Sequence, residues 1–197
     1  MVNDGRPNQA EPVEPIESVP NAVPVVLIGL PGAGKTSVGE ILARLLNLSF
    51  FDSDRLIEAK EKRSVSSIFA EDGEPKFRQM ESALLDDFKS GSFVLSCGGG
   101  LPMTPGNMDA LLNLGKVVYL KTAIDELVKR LASTHDRPLL KASSISGSES
   151  DEHVLRKRLC TLESERSKVY ERAQLTVQTD GLSTDQVAKE ILERMKN

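Results

Sequence analysis

The stretch PVVLIGLPGAGKTS, residues 24–37, constrains the fold of this chain more than any other. The β-branched run 24–30 ends at a glycine and reads as a buried strand. The segment that follows fits G-x-x-x-x-G-K-[ST] at Gly29, Gly34, Lys35 and Thr36, the phosphate-binding loop pattern. Glycines there let consecutive backbone amides turn inward around a phosphate, and the next helix adds its positive dipole end. Val38, Ile41, Leu42, Leu45 and Leu46 recur at helical spacing behind the loop, so the required strand before and helix after are both present. Nucleotide binding follows, with Gly32, Ala33, Gly34, Lys35, Thr36 and Ser37 around the phosphates. Lys35 is expected to span the β- and γ-phosphates, and the Thr36 hydroxyl to bind Mg2+.

The rest of the chain alternates strands and helices. Further short strands are expected at 48–51, 92–97, 116–120 and 175–179, and helices at 54–63, 74–89, about 106–114, 123–132 and 152–173, with a last helix beginning at Ser183. Thr122 with Asp125, and Ser183 with Gln186, have the spacing of capping boxes. This alternation implies an α/β fold with a mainly parallel sheet covered on both faces. Ligands of such sheets gather at the carboxyl ends of the strands. GLPGAGKTS, DSD (52–54) and CGGG (97–100) all follow strand ends directly, which predicts one shared rim.

Phe50 and Phe51 run into Asp52, Ser53 and Asp54, so an apolar strand ends in two carboxylates. One reading makes Asp54 the N-cap of the helix after it. The other follows from the phosphate loop, whose magnesium needs a nearby carboxylate. Asp52, still on the strand end, is then the residue that reaches the hydrated ion through water, and Asp54 points toward the phosphate acceptor.

Composition narrows the function classes. With 197 residues, one domain is expected, and the net charge of −4 and 4% aromatic residues argue against a nucleic-acid or anionic-membrane partner. Cys97 and Cys160 suggest neither a disulfide framework nor a zinc cluster, and His135 and His153 are isolated. Cys97 reads as a buried small apolar residue. Residues 1–23 hold four of the ten prolines and four acidic residues, and read as a flexible tail without signal- or transit-peptide character. A cytoplasmic monomer is expected, consisting of that tail and a single domain over 24–197.

Six segments, GLPGAGKTSVG (29–39), FFDSDRLIE (50–58), IFAEDGEPKFRQME (68–81), LSCGGG (95–100), RPLL (137–140) and ERSKVY (165–170), together resemble the shikimate kinase family, and in that family's order. These are small P-loop enzymes of aromatic amino-acid, or chorismate, biosynthesis. The resemblance runs from about Val23 to Lys196. It implies a three-layer α/β/α fold with a five-stranded parallel sheet, like that of nucleoside monophosphate kinases. It also implies transfer of the ATP γ-phosphate, with Mg2+, to the 3-hydroxyl of shikimate.

Residue by residue, Arg78 and Arg166 match the arginines that bind the shikimate carboxylate, a role suited to guanidinium forks. Asp54 matches the aspartate on the substrate hydroxyl, the proposed general base. Gly98, Gly99 and Gly100 match the glycine loop that approaches the substrate; a plain strand-to-loop turn is the alternative. Glu81 matches an acidic residue that could orient Arg78, against an ordinary i,i+3 surface pair worth a few tenths of a kcal/mol. Arg130 matches an arginine that packs on adenine, although a solvated helix arginine would look the same. Arg137 matches a lid arginine that swings onto the transferring phosphate and helps exclude water. The substrate-binding part is expected over about 52–81 and the lid over about 133–152. Between Arg137 and Arg166 the chain is roughly ten residues longer than the usual family spacing, which enlarges the lid tip. A gluconate kinase, a nucleoside monophosphate kinase and a regulatory module that binds nucleotide without turnover are the alternatives.

Overall fold

A computed structural model describes residues 23–88, 91–132 and 151–196. Apart from Val23 and the start of a helix at 151–152, the expected tail (1–23) and lid (133–152) fall outside the described residues, and so do Arg137 and His135. The five strands of the sheet among the described residues are β1 (Val25–Ile28), β2 (Ser49–Asp52), β3 (Phe93–Ser96), β4 (Lys116–Lys121) and β5 (Leu175–Gln178). They pair in the order β2-β3-β1-β4-β5, and every pair is parallel. β1 lies at the centre with all four side chains buried, which is why its sequence is an unbroken VVLI. β2 sits at an edge and its phenylalanines are only half-buried, so the strand before the two aspartates is less enclosed than its sequence suggests.

The helices are α1 (Lys35–Leu46), α2 (Ser53–Glu61), α3 (Val65–Glu71), α4 (Gly73–Leu85), α5 (Asn107–Leu114), α6 (Ile124–Ala132), α7 (Asp151–Tyr170) and α8 (Thr184–Met195), with a 3-10 turn at Leu101–Met103. Parallel strands require right-handed crossovers, so the direction of each step across the sheet selects a face. The step from β1 out to β2 carries α1 to one face. The returning steps from β2 to β3, β4 and β5 carry α2–α7 to the other. The packing agrees: α1 lies against α8, while α6 lies against α7 and α5 against β4. The main core fills the sheet and these helices. A second, small core of Ile57, Ile68, Phe77 and Leu84 holds α2, α3 and α4 together.

Several sequence expectations need correction. The helices expected at 54–63 and 74–89 are shorter, and between them lies α3, a seven-residue helix capped by Ser64 on the Ser67 amide. The capping box at Ser183 and Gln186 is present. The one at Thr122 and Asp125 is not. The Thr122 hydroxyl instead meets that of Thr179 at 2.6 Å, the Ala123 amide donates to Asp180, and Asp125 pairs with Arg156. These partners come from the turn after β5 and from α7, which local spacing cannot reveal. Asp52, not Asp54, caps α2, its carboxylate accepting from the amides of Asp54 and Arg55.

One close approach fixes how α1 sits on the sheet. A methyl group at Gly39 would stand 2.5 Å from the Phe50 ring and 3.2 Å from Leu27 Cδ1. Alanine would gain about 1 kcal/mol in helix propensity but overpack this contact at a cost of about 1–3 kcal/mol. Gly39→Ala is therefore expected to lower the melting temperature in a thermal denaturation. A higher melting temperature would show that the edge strand β2 yields and that the contact does not set the spacing.

Candidate active site

The phosphate loop is held open by its own backbone. Gly34, at φ +92° in the left-handed region, precedes α1 without any side-chain cap, so the first amides of a twelve-residue helix are left to face an anion. Lys35 folds back over the loop and its Nζ donates to the carbonyls of Gly29 (3.0 Å) and Leu30 (3.1 Å). Burial lowers the Lys35 pKa, while the nearby Asp54 and Asp52 carboxylates pull it back up. The Thr36 hydroxyl donates to Asp52 Oδ2 at 2.8 Å. Asp52 thus works with both oxygens: Oδ2 takes Thr36, and Oδ1 caps α2 at 3.1 and 3.3 Å.

Beside this loop opens a cavity of about 680 Å³, lined by Gly32–Ser37 from the loop and the start of α1, by Arg130 from α6, by Thr179 after β5, and by Ser183 and Thr184 at the start of α8. Arg130 is fixed in the wall, with Nε on Glu126 at 3.0 Å and the guanidinium on the Thr179 carbonyl at 3.0 Å. It is therefore a held side chain and not a solvated helix arginine.

On the other side of the phosphate loop, the three glycines after β3 collect the remaining residues. A methyl at Gly98 would collide with Asp54 Oδ1 and come within 3.1 Å of Glu81 Oε1; one at Gly99 would stand 2.8 Å from Arg166 Nη1; one at Gly100 would collide with the Arg78 guanidinium. Only glycine admits all these side chains, so the turn is a point of close approach. Ser53, buried at the start of α2, accepts from the Gly98 amide at 2.7 Å and fastens the loop to that helix. Burial, helped by the charge of Asp52, raises the Asp54 pKa against the pull of Lys35.

Arg78 stands on a pedestal built by α3 and α4. Its guanidinium lies 5.9 Å from the Phe69 ring centre and 5.8 Å from that of Phe77. Glu74 accepts from Nε and Nη2, and Glu81 accepts from Nη1 at 2.6 Å. Three of the five guanidinium N–H groups are used, which leaves two for a ligand. Glu81 is fully buried, so its reading as a surface pair fails. Its Oε1 has no hydrogen-bond partner among the described residues and lies on the side of Gly98 that Asp54 occupies.

The shikimate kinase family model matches residues 31–196. The curated shikimate kinase of Legionella pneumophila (strain Corby) is 37% identical over 170 residues, 85% of this chain and 91% of the relative. The chain belongs to the shikimate kinase family. A shikimate kinase of Cereibacter sphaeroides is 40% identical over 172 residues, covering 87% of this chain and 81% of that one. Among solved structures, a shikimate kinase from Acinetobacter baumannii in complex with shikimate superposes with a TM-score of 0.79 at 31% identity, over 89% of this chain and 94% of that one. One from Bacteroides thetaiotaomicron gives 0.80 at 31%, over 89% and 99%. A gluconokinase from Sinorhizobium meliloti, at 0.53 and 19%, shares the fold.

Within this family's fold, the structure brings Lys35, Thr36, Asp52, Asp54, Arg78, Gly98–Gly100 and Arg166 to one rim and sets Arg130 in the adjoining cavity. Two contributors escaped sequence reasoning. Ser53 stood unread between two aspartates, and Tyr170, at the end of ERSKVY, is buried with its hydroxyl against the glycine loop. Cys97 is buried as expected, and burial pushes its thiol well above the usual range.

Burial pushes the Glu81 carboxyl up to about 7 from an ordinary 4.5, although Arg78 opposes the shift. The folded state therefore holds a proton that the unfolded chain releases near pH 4.5. That stabilisation is complete below the unfolded pKa and is lost as pH rises through about 7. Asp54, also raised, acts in the same direction. The melting temperature of the native chain is expected to fall more steeply than that of Glu81→Gln between pH 5 and pH 8. Parallel profiles would mean that Glu81 is ionised throughout.

Proposed function

We propose that this chain is a shikimate kinase that transfers the γ-phosphate of ATP to the 3-hydroxyl of shikimate, giving shikimate 3-phosphate and ADP. The observation that carries this reading is the convergence of Arg78, Arg166 and Asp54 on three successive glycines beside a phosphate loop. Two guanidinium groups and one carboxylate match a ring that bears one acid and several hydroxyls.

In this reading ATP enters the cavity of about 680 Å³ with its phosphates on the amides of Gly32–Ser37. Arg130 packs on the adenine. Lys35 leaves the Gly29 and Leu30 carbonyls for the β- and γ-phosphates, exchanging two neutral acceptors for charged ones. The Thr36–Asp52 contact offers hard oxygen donors at the edge of the loop, which suits an ion held largely by phosphate and water. Thr36 would hold Mg2+ directly and Asp52 through water. The bound ion would neutralise charge on the phosphates.

Arg78 and Arg166 bind the carboxylate and set the ring against Gly99 and Gly100. Asp54 accepts the hydrogen of the 3-hydroxyl. A raised pKa suits a group that takes a proton late, because phosphoryl transfer has a loose transition state in which positioning and charge neutralisation supply most of the rate. Arg137 closes over the phosphate from the lid. The chain works as one domain over 24–197, a monomer in the cytoplasm.

Purified protein with Mg-ATP is expected to release ADP when shikimate is added, but not with gluconate or nucleoside monophosphates. Release driven by another acceptor would keep the kinase and change the substrate, whereas ATP binding without any release would point to a regulatory module. Asp54→Asn is expected to lower kcat at least 100-fold with ATP affinity kept within about threefold; near-normal turnover would remove Asp54 from the chemistry. Arg78→Ala should raise KM for shikimate far more than KM for ATP.

A further inference from the structure

Tyr170 ends α7, one helical turn after Arg166, and its side chain is fully buried. The hydroxyl donates to the Gly99 carbonyl at 2.5 Å and lies 3.5 Å from the Gly29 carbonyl. These two carbonyls belong to different loops. Gly29 opens the phosphate loop after β1, and Gly99 is the middle glycine after β3, the strand beside β1. Gly29 also takes Lys35 Nζ. A methyl at Gly99 would meet both Arg166 Nη1 and, at 3.5 Å, the Tyr170 hydroxyl, so one helix end delivers both groups to one glycine. The ring is locked against Tyr119 of β4, 5.2 Å between centres.

A trans peptide is planar, with its C=O and N–H pointing in opposite directions. Holding the Gly99 carbonyl therefore aims the Gly100 amide away from Tyr170. The guanidinium of Arg78 stands next to Gly100. The Gly100 N–H has no hydrogen-bond acceptor among the described residues.

We propose that the Tyr170 hydroxyl is a positioning group for the acceptor substrate. It fixes the Gly99–Gly100 peptide so that the Gly100 N–H faces the substrate beside Arg78, and it holds that loop in register with the mouth of the phosphate loop. This inference rests on the shikimate kinase reading. Burial raises the phenol pKa, so the group remains a donor through the neutral range. The pin acts on acceptor binding and on the alignment of acceptor with phosphate, and leaves nucleotide affinity alone.

Tyr170→Phe removes one oxygen and keeps the ring. In the full chain, kcat/KM for shikimate is expected to fall about tenfold, the scale of one hydrogen bond, through a higher KM for shikimate and a lower kcat, with KM for Mg-ATP within about twofold. Tyr119→Phe, which alters the same ring pair away from the loop, should leave all three constants unchanged. Unchanged constants in a folded Tyr170→Phe would overturn the pin, and so would an equal rise in both KM values with a lower melting temperature, the mark of general loosening. If native protein fails to turn over shikimate at all, the kinase reading falls instead. Should the variant not fold, native protein carrying 3-fluorotyrosine supplies the test, with its two fluorine signals assigned through Tyr119→Phe. Shikimate, but not ADP, is expected to shift the Tyr170 signal; a signal moved only by ADP would refute the proposal.

Discussion

The Asp52 carboxylate joins three elements with two oxygens. One oxygen takes the Thr36 hydroxyl at the start of α1, and the other caps α2 on two amides. The end of β2, the phosphate loop and the helix that carries Asp54 are thereby held in one arrangement. A carboxylate in this position is stabilised by three donors, one tying it to the phosphate loop and two to the start of α2. Asp54, with no cap to make, is left facing the glycine loop. The two aspartates have divided labour in a way that their spacing alone does not disclose.

Beyond Asp52 the rim gathers charge where little water reaches. Lys35, Asp54 and Glu81 are each shifted toward the neutral form, and in each case desolvation is the first cause. The opposite charges beside them limit these shifts without cancelling them. Such a site is electrostatically unfinished, with a lysine resting on carbonyls, a guanidinium with two N–H groups in reserve and a carboxylate oxygen without a partner. A phosphate and a hydroxy acid supply the charges and acceptors that complete it. Binding energy in this arrangement comes from relieving groups already desolvated by the fold.

Local sequence carried the parts of this structure that depend on local chemistry. The buried β1, the glycine pattern of 29–37, the α8 capping box and the gathering of three motifs on one rim could be read from residue types and spacing. The parts that failed depend on distant partners. Thr122 meets Thr179 and not its own helix, since β5 lies alongside β4. Asp52 takes the cap because the helix starts one residue earlier than the apolar periodicity indicates. Glu81 looks like half of a surface pair until α2–α4 close over it. Tyr170 falls inside the helix expected at 152–173, and only the fold places its hydroxyl between two loops 71 and 141 residues away. The roles expected of Arg78, Arg130 and Arg166 rest on family resemblance, as a helix arginine has no local signature for what it binds.

The separation into two cores explains why the charged groups can exist at all. Ile57, Ile68, Phe77 and Leu84 pack together under α2–α4, apart from the main core of the sheet. A buried carboxylate such as Glu81 would be costly in the middle of either core. At the seam it finds Arg78, itself seated on Phe69 and Phe77 of the small core. On this side of the rim the two cores are joined by polar contacts, among them Ser53 to Gly98 and Asp52 to the first amides of α2. Such bonds set geometry while contributing less cohesion than apolar packing, so the seam is the place where the small core can adjust against the sheet at least cost. In the proposed binding mode, with the acid on Arg78 and the phosphate donor on the loop of α1, the ligands would span that seam. Their own contacts would then supply the cohesion that the polar joint lacks.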